Sequence, residues 1–229
     1  TVFSNVPTVT RSFWVYNHSG AGLRCQSVRL ANGAATGFRV NVDGQYLAPS
    51  SNYATSDIEV RNKDSIRVFV ELTSPENGQL DPQLCQDDLI FTLESGVEQK
   101  VNLRAYTWDA LKYTNVHITR DSLISAQQKP IIIYGGVEVD SGATLTIAPG
   151  TTLYFHNDAG MSVRGTLKSL GEEGREVVLR GDRIDRMFDY LPYDRVSGQW
   201  QGIRLHASSF DNEIQYTDLH SAYNGIVCD

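Results

Sequence analysis

Residues able to do acid–base, metal or nucleophilic chemistry are few in this 229-residue chain and lie far apart. Five histidines, His18, His117, His156, His206 and His220, include no pair at the i, i+4 spacing that sets two imidazoles on one metal. His206 and His220 are candidates for neighbouring strands, where a solvated imidazole is the plainer expectation. Cys25, Cys85 and Cys228 have no metal-ligand spacing, and their number is odd. Cys25 and Cys85 are either one bridge in an exported protein or two half-buried thiols. Ser-His-Asp sets can be assembled from any chain of this length, and no nucleophile-elbow motif singles one out. Gly135-Gly136 precedes a strand rather than a helix, so it is no phosphate cradle. Arg180-Gly181-Asp182 invites an adhesion reading, but a tripeptide is too short to be specific. The expectation is no catalytic residue, no metal and no cofactor.

One run is richer. Gly181–Gln199, "GDRIDRMFDYLPYDRVSGQ", carries Phe188, Tyr190 and Tyr193 among Asp185, Arg186, Asp189, Asp194 and Arg195, and Trp200 follows it. Sugars present flat C–H faces and rings of hydroxyls, which aromatic platforms flanked by carboxylates and guanidiniums match in kind. The candidate ligand-binding residues are therefore Phe188, Tyr190, Tyr193, Asp189, Asp194, Arg195 and Trp200. The competing expectation is that the rings fold back onto a core and that Trp200 merely starts the next strand.

What would position such a run is a repeat. Val137/Val139, Leu145/Ile147 and Leu153/Phe155 alternate with polar neighbours and are separated by Ser-Gly and Pro-Gly turns, the mark of very short strands. Val137/Val139 returns after 24 residues as Met161/Val163, and Leu145 after 22 as Leu167. Leu153/Phe155 returns after 24 as Val177/Leu179, and Ile203/Leu205 after 23 as Ile226/Cys228. Three strand faces sharing one period predict a parallel β-helix, with Gly181–Gln199 as an insertion and Ile214/Tyr216 as the returning third face. About four coils are expected from Ile131 to Asp229, the last of them uncovered and prone to end-to-end self-association.

Asp158 and Asp182, 24 apart, are expected past the third face of successive coils. Stacked there, they would suit a polysaccharide lyase or glycoside hydrolase on the β-helix flank; the plainer reading is two turn aspartates.

Before the repeat the pattern changes. "SFWVYNH", "LRCQSVRL", "GFRVNV", "SDIEV", "SIRVFVEL", "DLIFTL" and "QKVNLRAY" are about seven strand-like runs, the size of an immunoglobulin-like β-sandwich over 1–108. The segment 109–130 reads as linker and β-helix cap, and 131–229 as the β-helix. The fold class is thus all-β. A net charge of −7 argues against nucleic acid, which needs a concentrated basic surface. No apolar run reaches the ~20 residues of a membrane helix. The chain opens on Thr-Val-Phe-Ser, so any export signal or lipid anchor would lie upstream.

"DSIRVFVEL…DDLIFTLESGVEQKVNLRAYTWDA" resembles the second half of a Hydin-like immunoglobulin domain. "KPIIIYGGVEVDSGATLTIAPGTTLYFHNDAGMSVRGTLKSLG" with "GQWQGIRL" resembles the right-handed β-helix of large bacterial cell-surface proteins, often lipoproteins. The resemblance implies export to the cell envelope, lipid anchoring through a preceding segment, and an adhesion or polysaccharide-related role. It supplies no catalytic residue. The expected function is a non-catalytic surface module that binds polysaccharide or another surface molecule; the alternative is a polysaccharide lyase or glycoside hydrolase.

Overall fold

The computed structural model describes all 229 residues, Thr1–Asp229, and they form strands almost throughout. Two compact units, Thr1–Trp108 and Asp109–Asp229, each enclose their own core.

In the first unit, strict alternation becomes a half-buried strand. Ser65–Leu72 buries Ile66, Val68, Val70 and Leu72 and turns Arg67 and Phe69 outward. Arg11–Tyr16 and Phe38–Val42 flank it antiparallel, and Gln45–Tyr46 completes a four-stranded sheet. In the facing six-stranded sheet, Gln83–Leu93 runs between Leu23–Leu30 and Glu98–Trp108. Val40 and Val68 from one sheet and Val28, Leu89 and Phe91 from the other share one core, the layered solution for strands with a single apolar face. Cys25 and Cys85 are free thiols. Their strands are neighbours, but Cys25 is level with Leu93, eight residues from Cys85 and so ~27 Å along the strand. Burial pushes both thiols above the ordinary range, which keeps them inert.

The second unit is a parallel β-solenoid of about five turns. Face one stacks Val116–Ile118, Val137–Val139, Met161–Val163, Ile203–Leu205 and Ile226–Cys228 in register. Face two stacks Ser122–Ile124, Thr144–Ile147, Thr166–Leu170 and Glu213–Gln215. Inward residues such as Val139, Val163, Leu145, Leu167, Leu153 and Leu179 are buried and form one continuous core, each contributing ~1.5–3 kcal/mol relative to exposure. Ile131–Val139 serves two faces because Gly136, at φ +99°, bends it. A Cβ on Gly136 would lie 2.8 Å from the Gly160 carbonyl oxygen of the next rung, so this corner admits only glycine.

Two features depart from the sequence pattern. The segment expected to be linker and cap, 109–130, supplies the first rung: Leu111–Ile118 pairs with Ile131–Val139, and Ser122–Ile124 with Thr144–Ile147. Its alternation is hidden by a register slip between Thr114 and Val116, where Asn115 takes a φ of +50°, and by the outward turn of Leu123. On face three the register is Leu153 with Leu179 and Phe155 with Gly181, two residues beyond the expected alignment. Face three returns as Thr217–Leu219, and Ile214 belongs to face two. A shift by two leaves the same residues inward, so alternation alone cannot detect it.

No helix is long and apolar enough to cross a membrane.

Candidate functional site: the inserted hairpin and the face-one groove

The insertion after Val177–Gly181 folds into a small hairpin, Arg186–Phe188 against Leu191–Pro192, followed by a 3₁₀ turn at Tyr193–Arg195. Its base is fastened to the solenoid. The Arg183 guanidinium lies 4.2 Å from the centre of the Tyr193 ring and donates from Nε and Nη2 to the two carboxylate oxygens of Asp185. Asp194 accepts from Arg180 at 2.7 Å and meets His220 Nε2 at 2.7 Å, while His220 Nδ1 faces Asp218 at 2.9 Å.

At the tip, Phe188 and Tyr190 stack with ring centres 5.5 Å apart and planes inclined by 12°. They are 50% and 80% exposed. Asp189 and Arg195 are exposed as well. Tyr193 is buried beneath Arg183, and Trp200 is fully buried. The Trp200 ring stacks on Phe155 at 4.3 Å, and its Nε1 donates to the His220 carbonyl. The seven candidate residues therefore separate. Phe188, Tyr190, Asp189 and Arg195 face water; Asp194 is an anchor; Trp200 packs in the solenoid core, and Tyr193 packs beneath Arg183 within the insertion.

The carboxylate pair does not form. The face-three register puts Asp182 level with His156 in the next rung: the buried Asp182 meets His156 Nδ1 at 2.6 Å, while Asp158 lines a groove over face one. That hydrogen bond, against the opposing effect of burial, holds the His156 imidazole above its ordinary pKa. Arg180-Gly181-Asp182 offers no exposed tripeptide, since Gly181 and Asp182 are buried.

The groove, of about 660 Å³, runs over face one across all five rungs and includes Glu138, Asp158, Ser162, Gln201 and Arg204 in its lining. Two outward rows run along face one. The first lines the groove and is His117, Glu138, Ser162 and Arg204, level with one another in successive rungs and ending at the apolar Val227. The second is Asp140, Arg164, His206 and Asp229, each immediately after a face-one strand and each donating its backbone N–H one rung back. Residues pair diagonally, from the first row to the second row of the next rung: His117 with Asp140 at 2.7 Å, Glu138 with Arg164, Ser162 with His206 at 2.8 Å, and Arg204 with Asp229 at 2.8 Å. The Arg204 guanidinium holds the Asp229 carboxyl below the usual range, and Asp140 raises the His117 imidazole. His206 and His220 follow strands of different faces and do not stack.

Sequence reasoning missed these rows. The signal was present in the repeat itself: Val137-Glu138-Val139-Asp140, Met161-Ser162-Val163-Arg164 and Ile203-Arg204-Leu205-His206 align position by position.

Fold and site together define an all-β protein in which a parallel β-solenoid carries an aromatic hairpin and a polar groove. No family model matches the chain, and no solved structure matches it. Over 72 residues, 31% of this chain, it is 33% identical to "Protein bark beetle" of Drosophila melanogaster. The match spans 2% of that protein's length.

Proposed function

We propose that this chain is a glycan-binding part of an exported cell-surface protein, and that the inserted hairpin makes the contact. In this reading the first unit is an immunoglobulin-like spacer. The adhesion role, bacterial origin and lipid anchoring that the sequence resemblance implies belong to the same proposal. The observation that carries it is the Phe188–Tyr190 pair: two stacked, nearly parallel rings held in water on a hairpin whose base is fixed by Arg183, Asp185 and Asp194. A fixed hairpin has little ordering entropy left to lose, so stacking against a sugar face converts more fully into affinity. Asp189, between the two rings in the chain, and Arg195, in the turn that follows the hairpin, are exposed and suit hydroxyl recognition.

The test is affinity electrophoresis through gels containing a panel of polysaccharides. The wild-type chain should be retarded by at least one of them. Phe188→Ala/Tyr190→Ala should migrate as in a gel without polysaccharide, with its stability within ~0.5 kcal/mol because both rings are exposed. Equal retardation of the double variant, or no retardation of the wild type by any polysaccharide, refutes the assignment.

A second reading, an enzyme acting on a polysaccharide, rests on the groove, a concave polar channel with Glu138 and Asp158 in its lining.

A further inference from the structure

The diagonal pairs over face one are not all alike. Three of the four join a cation or imidazole to a carboxylate: His117–Asp140, Arg164–Glu138 and Arg204–Asp229. A ladder built only to balance charge between rungs would continue in that manner. At the remaining diagonal a neutral hydroxyl takes the place of an ion: Ser162 Oγ is 2.8 Å from His206 Nε2. The second ring nitrogen, Nδ1, is 3.1 Å from Asp229 Oδ2. Hydroxyl, imidazole and carboxylate thus form one chain in the order used for nucleophilic acyl transfer, with Ser162 opening into the groove. We propose that Ser162, His206 and Asp229 hydrolyse short acyl esters, the chemical class being O-acyl groups on a polyhydroxylated polymer lying in the face-one groove.

Each residue has a role set by its place in the ladder. Asp229 is kept ionised by Arg204, which donates from Nε and Nη2 to its carboxylate. An anion at that point favours the tautomer with its proton on Nδ1, leaving Nε2 to accept from the Ser162 hydroxyl. Ser162 Oγ then adds to the ester carbonyl carbon as its proton passes to Nε2. The tetrahedral intermediate collapses, the bond to the alcohol oxygen breaks, and that oxygen leaves with the proton from Nε2. Water attacks the acyl-serine by the same route, releasing the carboxylic acid and restoring Ser162. No oxidant or metal is required.

Two further observations fit this substrate class. The groove crosses five rungs, a run of ~19 Å at ~4.8 Å per rung, which suits an extended polymer rather than a compact molecule. Gly136, Gly160 and Gly202 in its lining leave bare backbone there, and polar side chains such as Asn115, Gln201 and Asn224 offer donors and acceptors for hydroxyls. The backbone of Met161–Val163 is committed to its two neighbouring strands, so no pair of free amides forms an oxyanion hole. Arg204, the cation level with Ser162 in the next rung, stands in for one. Loss of one oxyanion donor typically costs ~10²–10³ in rate, so turnover should be slow and an activated ester is the appropriate probe.

The experiment uses the whole chain with p-nitrophenyl acetate and, separately, with a fluorophosphonate label located by peptide mass. Exposed imidazoles alone cleave the first reagent, so the label decides the nucleophile. Labelling is expected at Ser162. Hydrolysis should fall at least tenfold in Ser162→Ala and, as a second variant that keeps the hydroxyl, in His206→Asn. Absence of label at Ser162, or an unchanged rate in Ser162→Ala, overturns the proposal. Neither readout involves a polysaccharide, so failure here is distinguishable from failure of glycan binding at the hairpin.

Discussion

Four of the five histidines meet an aspartate, and all four lie in the solenoid unit: His117 with Asp140, His156 with Asp182, His206 with Asp229, and His220 with Asp194 and Asp218. His18 instead stacks on Tyr16. The pair at His156 is the most sheltered, its aspartate buried and its ring 4.5 Å from that of Tyr134. Its pKa in the fold is raised, above all by the hydrogen bond that Nδ1–H donates to Asp182. The proton-bound form is therefore favoured by folding. Its contribution is complete below the unfolded value of ~6.5 and is lost as pH rises through the higher folded value. The melting midpoint of the wild type should accordingly fall more steeply than that of His156→Gln as pH rises above ~6.5, as followed by scanning fluorimetry. Parallel curves for the two proteins would assign the slope to other groups. His117, in open solvent, adds little to this slope despite its raised pKa, because water screens its partner.

At the scale of elements, the corner between faces three and one depends on close approach of backbones. Gly202 has a φ of +90°, and a Cβ there would fall 1.8 Å from the Asn224 carbonyl oxygen in the next rung. Gly142 has a similar φ of +82° but nothing within 4 Å. The two substitutions separate dihedral strain from collision. Gly142→Ala should cost only ~1–2 kcal/mol, the penalty of a left-handed conformation. Gly202→Ala should cost clearly more, since the rung Ile226–Cys228 must move away from Ile203–Leu205. Urea titrations of both variants test this, and equal losses would mean that the collision is relieved without separating the rungs. The hairpin is a different kind of element: its strands pair with each other rather than with a rung, and the ladder resumes at Ile203 after it. A long insertion costs little loop entropy, which is how such a feature can interrupt a regular repeat.

At the scale of the molecule, each buried cluster draws its members from one unit only. Leu145, fully buried in the solenoid core, touches its own and adjacent rungs, as expected of a quasi-one-dimensional stack. Leu145→Ala should remove ~2–5 kcal/mol from the unfolding of 109–229 and leave the transition of 1–108 where it was, read by hydrogen exchange in each unit. Loss of protection in both would show that the cores are thermodynamically coupled. The amino-acid sequence by itself determined the all-β class, the registers of Val137 with Met161, Leu145 with Leu167 and Ile203 with Ile226, and the insertion between Met161 and Ile203. Those follow from alternation and repeat length, both local properties of the chain. Tertiary structure alone decided the first rung at Leu111, hidden by the slip at Asn115, and the two-residue shift that put Asp182 on His156. It also decided which rings face water, Phe188 and Tyr190 rather than Tyr193 and Trp200, because residue type sets the gain from burial but not whether a core lies within reach. The Ser162–His206–Asp229 chain belongs to the same class: its members are 44 and 23 residues apart, and only the stacking of rungs across the insertion makes them neighbours.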